Sequence, residues 1–235
     1  MAAGIHRLTV PSGPLTLAAA GALEREARAL AENPGARVVV LAGDGDGFCP
    51  GVADGWTPLG SGLDVAAAVA AIRCPTVALL RGPVHSVGLE IALACDLRVA
   101  APDVSYAFPE LAGGRLPCWG GTQRLPRVAG LPAALVLLLG ETLDGGDPLA
   151  AGLAQYRVVA EEQEAAAGVL VATLLGLAPL ALELVKEAVH RGGELPMRRG
   201  LELEGDLNHL LQSTRDRAEG LAAFAEKRAP AFEGR

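Results

Sequence analysis

Two carboxylates stand where the surrounding sequence offers nothing to hold a charge. Glu90 lies in the uninterrupted apolar run Val87-Gly88-Leu89-Glu90-Ile91-Ala92-Leu93-Ala94-Cys95. On a helix, its neighbours three and four positions away are Ser86, Val87, Leu93 and Ala94, and none is a cation. A carboxylate so placed either shifts its pKa or finds a partner from a distant part of the fold. Glu110 follows twenty residues on, in Tyr106-Ala107-Phe108-Pro109-Glu110-Leu111, a stretch that also lacks a basic residue. Two desolvated carboxylates flanking one reacting centre are a recurring device for general acid and base chemistry. The plainer readings pair Glu90 with Arg98 or Arg124 and make Glu110 an ordinary turn residue after Pro109.

A different chemistry is suggested by Val84-His85-Ser86-Val87-Gly88, which between a strand and a helix has the form of a nucleophile elbow with Ser86 at the turn. Its first glycine is replaced by Val84, and no acid and histidine partners stand out, although His190 and His209 lie downstream. Cys49, Cys74, Cys95 and Cys118 are scattered without a CxxC pair, which suggests buried free thiols and neither a zinc site nor a disulfide framework.

The elements that must position these groups follow from the apolar pattern. Arg37–Ala42 and Thr76–Leu80 are β-rich runs closed by glycine-rich turns, with a short helix expected over Leu63–Arg73 between them. A helix carrying Glu90 is expected after Gly82, and Asp96–Ala100 returns to strand character. Gly113–Gly121 reads as a loop, and Thr122–Leu139 as helical around Pro126 and Pro132. This alternation predicts an α/β class with largely buried strands. Helical periodicity recurs over Leu180–His190 and Arg199–Lys227, where Leu203, Leu207, Leu210 and Leu211 form one stripe.

With 235 residues and 51% hydrophobic content the chain can bury a sizeable core, and 20 basic against 27 acidic residues give a charge of −7. That balance argues against a nucleic-acid partner and against a polybasic membrane surface. The first residues lack the pattern of a secretory leader, so a cytoplasmic location is expected. Ala165–Leu182 is uncharged and close to spanning length, but Pro179 more naturally separates two helices.

Taken together, the loops beside the two acids resemble the crotonase (enoyl-CoA hydratase/isomerase) family. The resemblance is carried by Val38-Val39-Val40-Leu41-Ala42-Gly43, Phe48-Cys49-Pro50-Gly51-Val52, Cys74-Pro75-Thr76-Val77-Ala78 and Glu90 through Arg98. It continues through Pro109-Glu110, Gly120-Gly121-Thr122-Gln123-Arg124-Leu125-Pro126, Ala151-Gly152-Leu153 and Glu219 through Arg228. Each match is weak alone, but they are collinear over nearly the whole chain. The family usually has consecutive glycines where Ser86 and Val87 stand, and its Ala-Gly-x-Asp pattern becomes Pro50-Gly51-Val52-Ala53, with Asp54 one place late.

The resemblance implies a crotonase-like spiral of ββα units with a C-terminal helical region. The core with its active site would span 1–190 and a helical trimerisation region 191–235, in a homotrimer or hexamer. It implies an acyl-CoA substrate, a place in fatty acid metabolism, and a thioester carbonyl held in an oxyanion hole by the backbone N–H groups of Val52 and Val87. Glu90 and Glu110 would hold a water between them for addition to a 2-enoyl-CoA, or for the reverse dehydration. Phe224 and Lys227 match positions that in relatives contact the CoA nucleotide from a neighbouring subunit. No metal and no cofactor are expected beyond coenzyme A as part of the substrate. Double-bond isomerisation or other enolate chemistry is the nearest alternative; serine hydrolysis at Ser86 and a non-catalytic acyl-CoA-binding subunit stand further off.

Overall fold

A computed structural model describes residues 4–235; Met1, Ala2 and Ala3, part of the stretch read for a leader, lie outside the described residues. The chain divides into two compact units. The first runs up to Ile72 and resumes over Thr76–Gly168; the second comprises Arg73–Pro75 and Val169–Arg235. The division therefore falls ahead of the 190/191 boundary expected from sequence.

In the first unit, strand β1 (Ile5–Val10) leads into helix α1 (Leu17–Ala31), then β2 (Val38–Gly43), α2 (Val65–Ala70) and β3 (Thr76–Leu80). The short β4 (Pro83–His85) precedes α3 (Val87–Ala94), followed by β5 (Leu97–Ala100), β6 (Ser105–Ala107), α4 (Gly121–Leu138), β7 (Thr142–Asp144) and β8 (Tyr156–Arg157). Strands β1, β2, β3, β5 and β8 form one parallel sheet in that order, with Val39 opposite Thr76 and Val77 opposite Leu97. Strand β2 is buried from Val38 to Ala42 and β3 throughout, including Thr76, as central parallel strands are. A second sheet joins β4 and β6 in parallel and β6 and β7 antiparallel.

Two elements depart from the sequence expectation near the site. The segment after Gly82 first adds β4 to the second sheet, and the helix begins only at Val87. Helix α4 is broken at Gly130, whose φ of 81° and ψ of 163° leave the helical region between Pro126 and Pro132.

In the second unit, α5 (Gln163–Leu175), which begins in the first unit, is followed by α6 (Pro179–Gly192), α7 (Met197–Gln212) and α8 (Arg215–Glu226). The helix expected over Arg199–Lys227 is two helices, because Thr214 caps α8 by accepting the Arg217 N–H through Oγ1. Of the leucine stripe, Leu207 is buried while Leu210 is 58% exposed. Among the described residues, no single helix is long and apolar enough to cross a membrane.

Candidate active site

The site is built at two places where backbone segments meet. The first is the loop Cys49–Ala53. The Leu15 N–H donates to Gly51 O at 2.8 Å, and the Ala53 N–H donates to Leu15 O at 2.9 Å, so Val52 pairs with Leu15 as a one-residue parallel bridge. In a parallel bridge the residue between those two bonds turns its own N–H the other way. The Val52 amide accordingly has no partner among the described residues. Trp56 fixes the same corner by donating its Nε1–H to Leu15 O at 2.7 Å.

The second place is the start of α3. Ser86 has φ 53° and ψ −127°, a conformation that glycine adopts freely and other residues adopt at a cost. The position that asks for glycine is thus Ser86; Val87 already belongs to the helix, with its side chain 1% exposed. The Val87 amide, in the first turn, lacks a partner among the described residues, and the helix dipole there favours negative charge. The two segments touch directly. The His85 N–H donates to Cys49 O at 3.3 Å, and a Cβ added to Gly88 would stand 2.1 Å from Cys49 O. Only a glycine lets α3 approach the Cys49 loop so closely.

One turn into α3, Glu90 is 1% exposed. Its Oε1 accepts the Trp119 N–H at 2.6 Å and the Gly121 N–H at 2.8 Å, while Oε2 has no protein partner among the described residues. Neither arginine considered for Glu90 pairs with it. Arg98 donates to the carbonyls of Ala92, Cys95 and Leu153, and Arg124 donates to Trp119 O. Burial raises the Glu90 pKa to about 7, and the charge of Glu110 adds to the rise; the N–H groups of Gly121 and Trp119, which favour the ionised form, oppose it.

Glu110 sits in a short 3-10 helix, Pro109–Gly113, and its side-chain Oε2 is likewise buried without a partner among the described residues. Both acids line one cavity of about 390 Å³ together with Val52, Ser86 and Val87 and with the apolar Pro58, Leu59, Leu116 and Pro117. That volume suits the acyl end of a ligand.

Of the residues singled out in the sequence, Val52, Val87, Glu90 and Glu110 therefore meet at one cavity. Phe224 and Lys227 lie in the second unit, at the end of α8, and do not line it; Phe224 is 87% exposed. Among the described residues no hydrogen bond joins Ser86 to a histidine; its neighbour His85 places Nε2 3.0 Å from Ser105 Oγ. His85, the histidine next to Ser86, is thus turned to Ser105 and is not placed as the base that a serine nucleophile needs.

Sequence reading missed several contributors. The main-chain donors to Glu90 carry no side-chain signature. Cys118, which lines the cavity, has its thiol pushed up to about 11 by burial and by the charges of Glu90 and Glu110. Arg115 also lines the cavity.

Comparison with known proteins agrees with this geometry. The family model described as enoyl-CoA hydratase/isomerase matches residues 22–235. Human "Enoyl-CoA hydratase domain-containing protein 2, mitochondrial" is 42% identical over 172 residues, covering 71% of this chain and 59% of that protein. "Enoyl-CoA isomerase/hydratase fer4" of Mycosarcoma maydis is 34% identical over 216 residues, covering 87% and 79%. The chain spans roughly three fifths of the length of the first curated relatives it matches. The crystal structure of enoyl-CoA hydratase from Bacillus anthracis superimposes with a TM-score of 0.89 at 29% identity, over 97% of this chain and 96% of the other.

Proposed function

Because the chain belongs to the enoyl-CoA hydratase/isomerase (crotonase) family, we propose that it adds water to a 2-enoyl-CoA thioester, or runs the dehydration in reverse. The observation that carries this reading is the pair of buried carboxylate oxygens, Glu90 Oε2 and Glu110 Oε2, which lack partners among the described residues and belong to residues that line one cavity with Val52 and Val87, whose amides also lack partners there.

In this reading the Val52 and Val87 N–H groups receive the thioester oxygen. They are fixed by the Leu15 bridge and by the start of α3, so they need no reorganisation as charge develops on that oxygen. A water between the acids gives a proton to Glu90, whose Oε1 is held by two N–H donors, and its oxygen bonds to the β-carbon. The electron pair of the double bond moves onto the thioester as an enolate. A proton from the acid pair then bonds to the α-carbon, so H and OH are gained on one face and the carboxylates end as they began. Coenzyme A enters only as part of the substrate.

Isomerisation is the second reading, favoured by the presence of an isomerase/hydratase among the relatives. Isomerase members of the family generally keep only the second acid, whereas this cavity holds both. A panel of short, medium and aromatic enoyl-CoAs decides between them. Loss of the conjugated absorbance with a mass gain of one water supports hydration, whereas double-bond migration without mass change supports isomerisation.

A further inference from the structure

We infer that Arg115 is a specificity-determining residue of this cavity, one that receives an anionic group carried by the thioester: a carboxylate on its acyl chain or a phosphate of its nucleotide. The inference rests on the acyl-thioester reading above. Arg115 is the one cation among the lining residues of the cavity. Its place is set by backbone, since Gly114 turns the chain at φ 66° and the Arg115 N–H donates to Glu110 O at 2.9 Å.

Several other arginines are already engaged. Arg7 pairs with Glu164, and Arg98 donates to backbone carbonyls. The Arg115 guanidinium has neither kind of partner among the described residues, although Glu110 lies on the same loop. An exposed cation left unpaired beside two acids is not serving as their counter-ion.

No other lining residue carries a positive charge: Glu90 and Glu110 repel a second anion, and the side chains of Pro58, Leu59, Leu116 and Pro117 offer it no hydrogen bond. A planar guanidinium meets a carboxylate or a phosphate with two parallel N–H bonds, so it can select for either.

The test measures kcat/KM for wild type, Arg115→Gln and Arg115→Lys on a 2-enoyl thioester with a terminal carboxylate and on its methyl ester, each as the CoA and as the phosphate-free pantetheine derivative. The wild type is expected to favour the anionic member of one pair, and Arg115→Gln to lose that preference by about ten- to a hundredfold, with part restored in Arg115→Lys. Loss within the carboxylate/ester pair on both carriers identifies the acyl chain as the source. Loss within the CoA/pantetheine pair for both acyl groups identifies the nucleotide. Active wild-type enzyme with unchanged ratios in Arg115→Gln overturns the inference and leaves the hydratase reading intact. If no thioester is turned over and none alters the fluorescence of Trp56 or Trp119, the hydratase reading falls and the inference falls with it. Equal melting temperatures for the three proteins confirm that they are folded.

Discussion

Gly88→Ala tests whether the contact between α3 and the Cys49 loop sets the geometry of the proposed oxyanion hole. A Cβ at residue 88 would lie 2.1 Å from Cys49 O and 3.0 Å from Cys49 C, where ordinary contact begins near 3.4 Å. Both obstacles are backbone, so no side chain can swing aside. Relief requires the helix start and the Cys49 loop to part by about 1.3 Å, which moves the Val87 amide away from the Val52 amide. A misplacement of about 1 Å in a reacting geometry costs on the order of 10²-fold, and loss of one oxyanion donor costs about 10²–10³-fold. We expect kcat to fall by about 10²-fold or more in an enoyl-thioester assay. Overpacking costs about 1–3 kcal/mol, and alanine's better helix propensity returns up to about 1 kcal/mol, so the melting temperature should drop by only a few degrees. A variant with wild-type kcat would show that the two loops do not form the reacting geometry. A variant that is unfolded at room temperature would show that the contact matters chiefly for stability.

Glu90→Gln and Glu110→Gln should each lower hydration by about 10²-fold or more while thioester binding, followed by tryptophan fluorescence, survives; near-wild-type turnover in either removes that residue from the chemistry. In the wild type, kcat/KM should rise with pH through about 7 as Glu90 ionises, and Glu90→Gln should abolish that limb. The same raised pKa acts on stability. The folded state keeps a proton that the unfolded chain loses near pH 4.5, so stability is fully present below 4.5 and falls as pH rises to about 7, by about 3 kcal/mol. Glu90→Gln should therefore melt higher than wild type at pH 8, with the difference closing by pH 5; a constant difference would refute the assignment. Ser86→Gly should stabilise the protein by up to about 2 kcal/mol, because relief of about 1–3 kcal/mol of strain outweighs the added freedom of the unfolded chain, and calorimetry that shows a loss would contradict the strain argument. We also expect trimers or a multiple of three, as the family resemblance implies, with exposed apolar residues such as Val185, Val189, Met197 and Leu201 available to an interface; a monomer by light scattering at micromolar concentration removes that expectation.

The sequence by itself determined the elements whose own residues demand burial. Val38–Leu41 and Thr76–Leu80 are short, rich in β-branched and apolar residues and followed by glycine turns, which reads as buried strand, and the longer run around Glu90 reads as a buried helix. The same reasoning isolated both acids, because a carboxylate among apolar neighbours is a local anomaly. Strand β1 escaped notice because the consecutive His6 and Arg7 interrupt its apolar residues at the edge of the sheet. Helix α1 escaped as well, although Thr16 at its cap and the spacing of Ala20, Leu23 and Ala27 could have marked it. Tertiary structure alone decided what surrounds the acids. Hydrogen bonds from Trp119 and Gly121 to Glu90, the unpartnered amides of Val52 and Val87, and the approach of Gly88 to Cys49 all involve main-chain atoms, which are the same in every residue. A sequence records side chains and therefore shows which groups need partners; it does not show which backbone atoms come close enough to serve them.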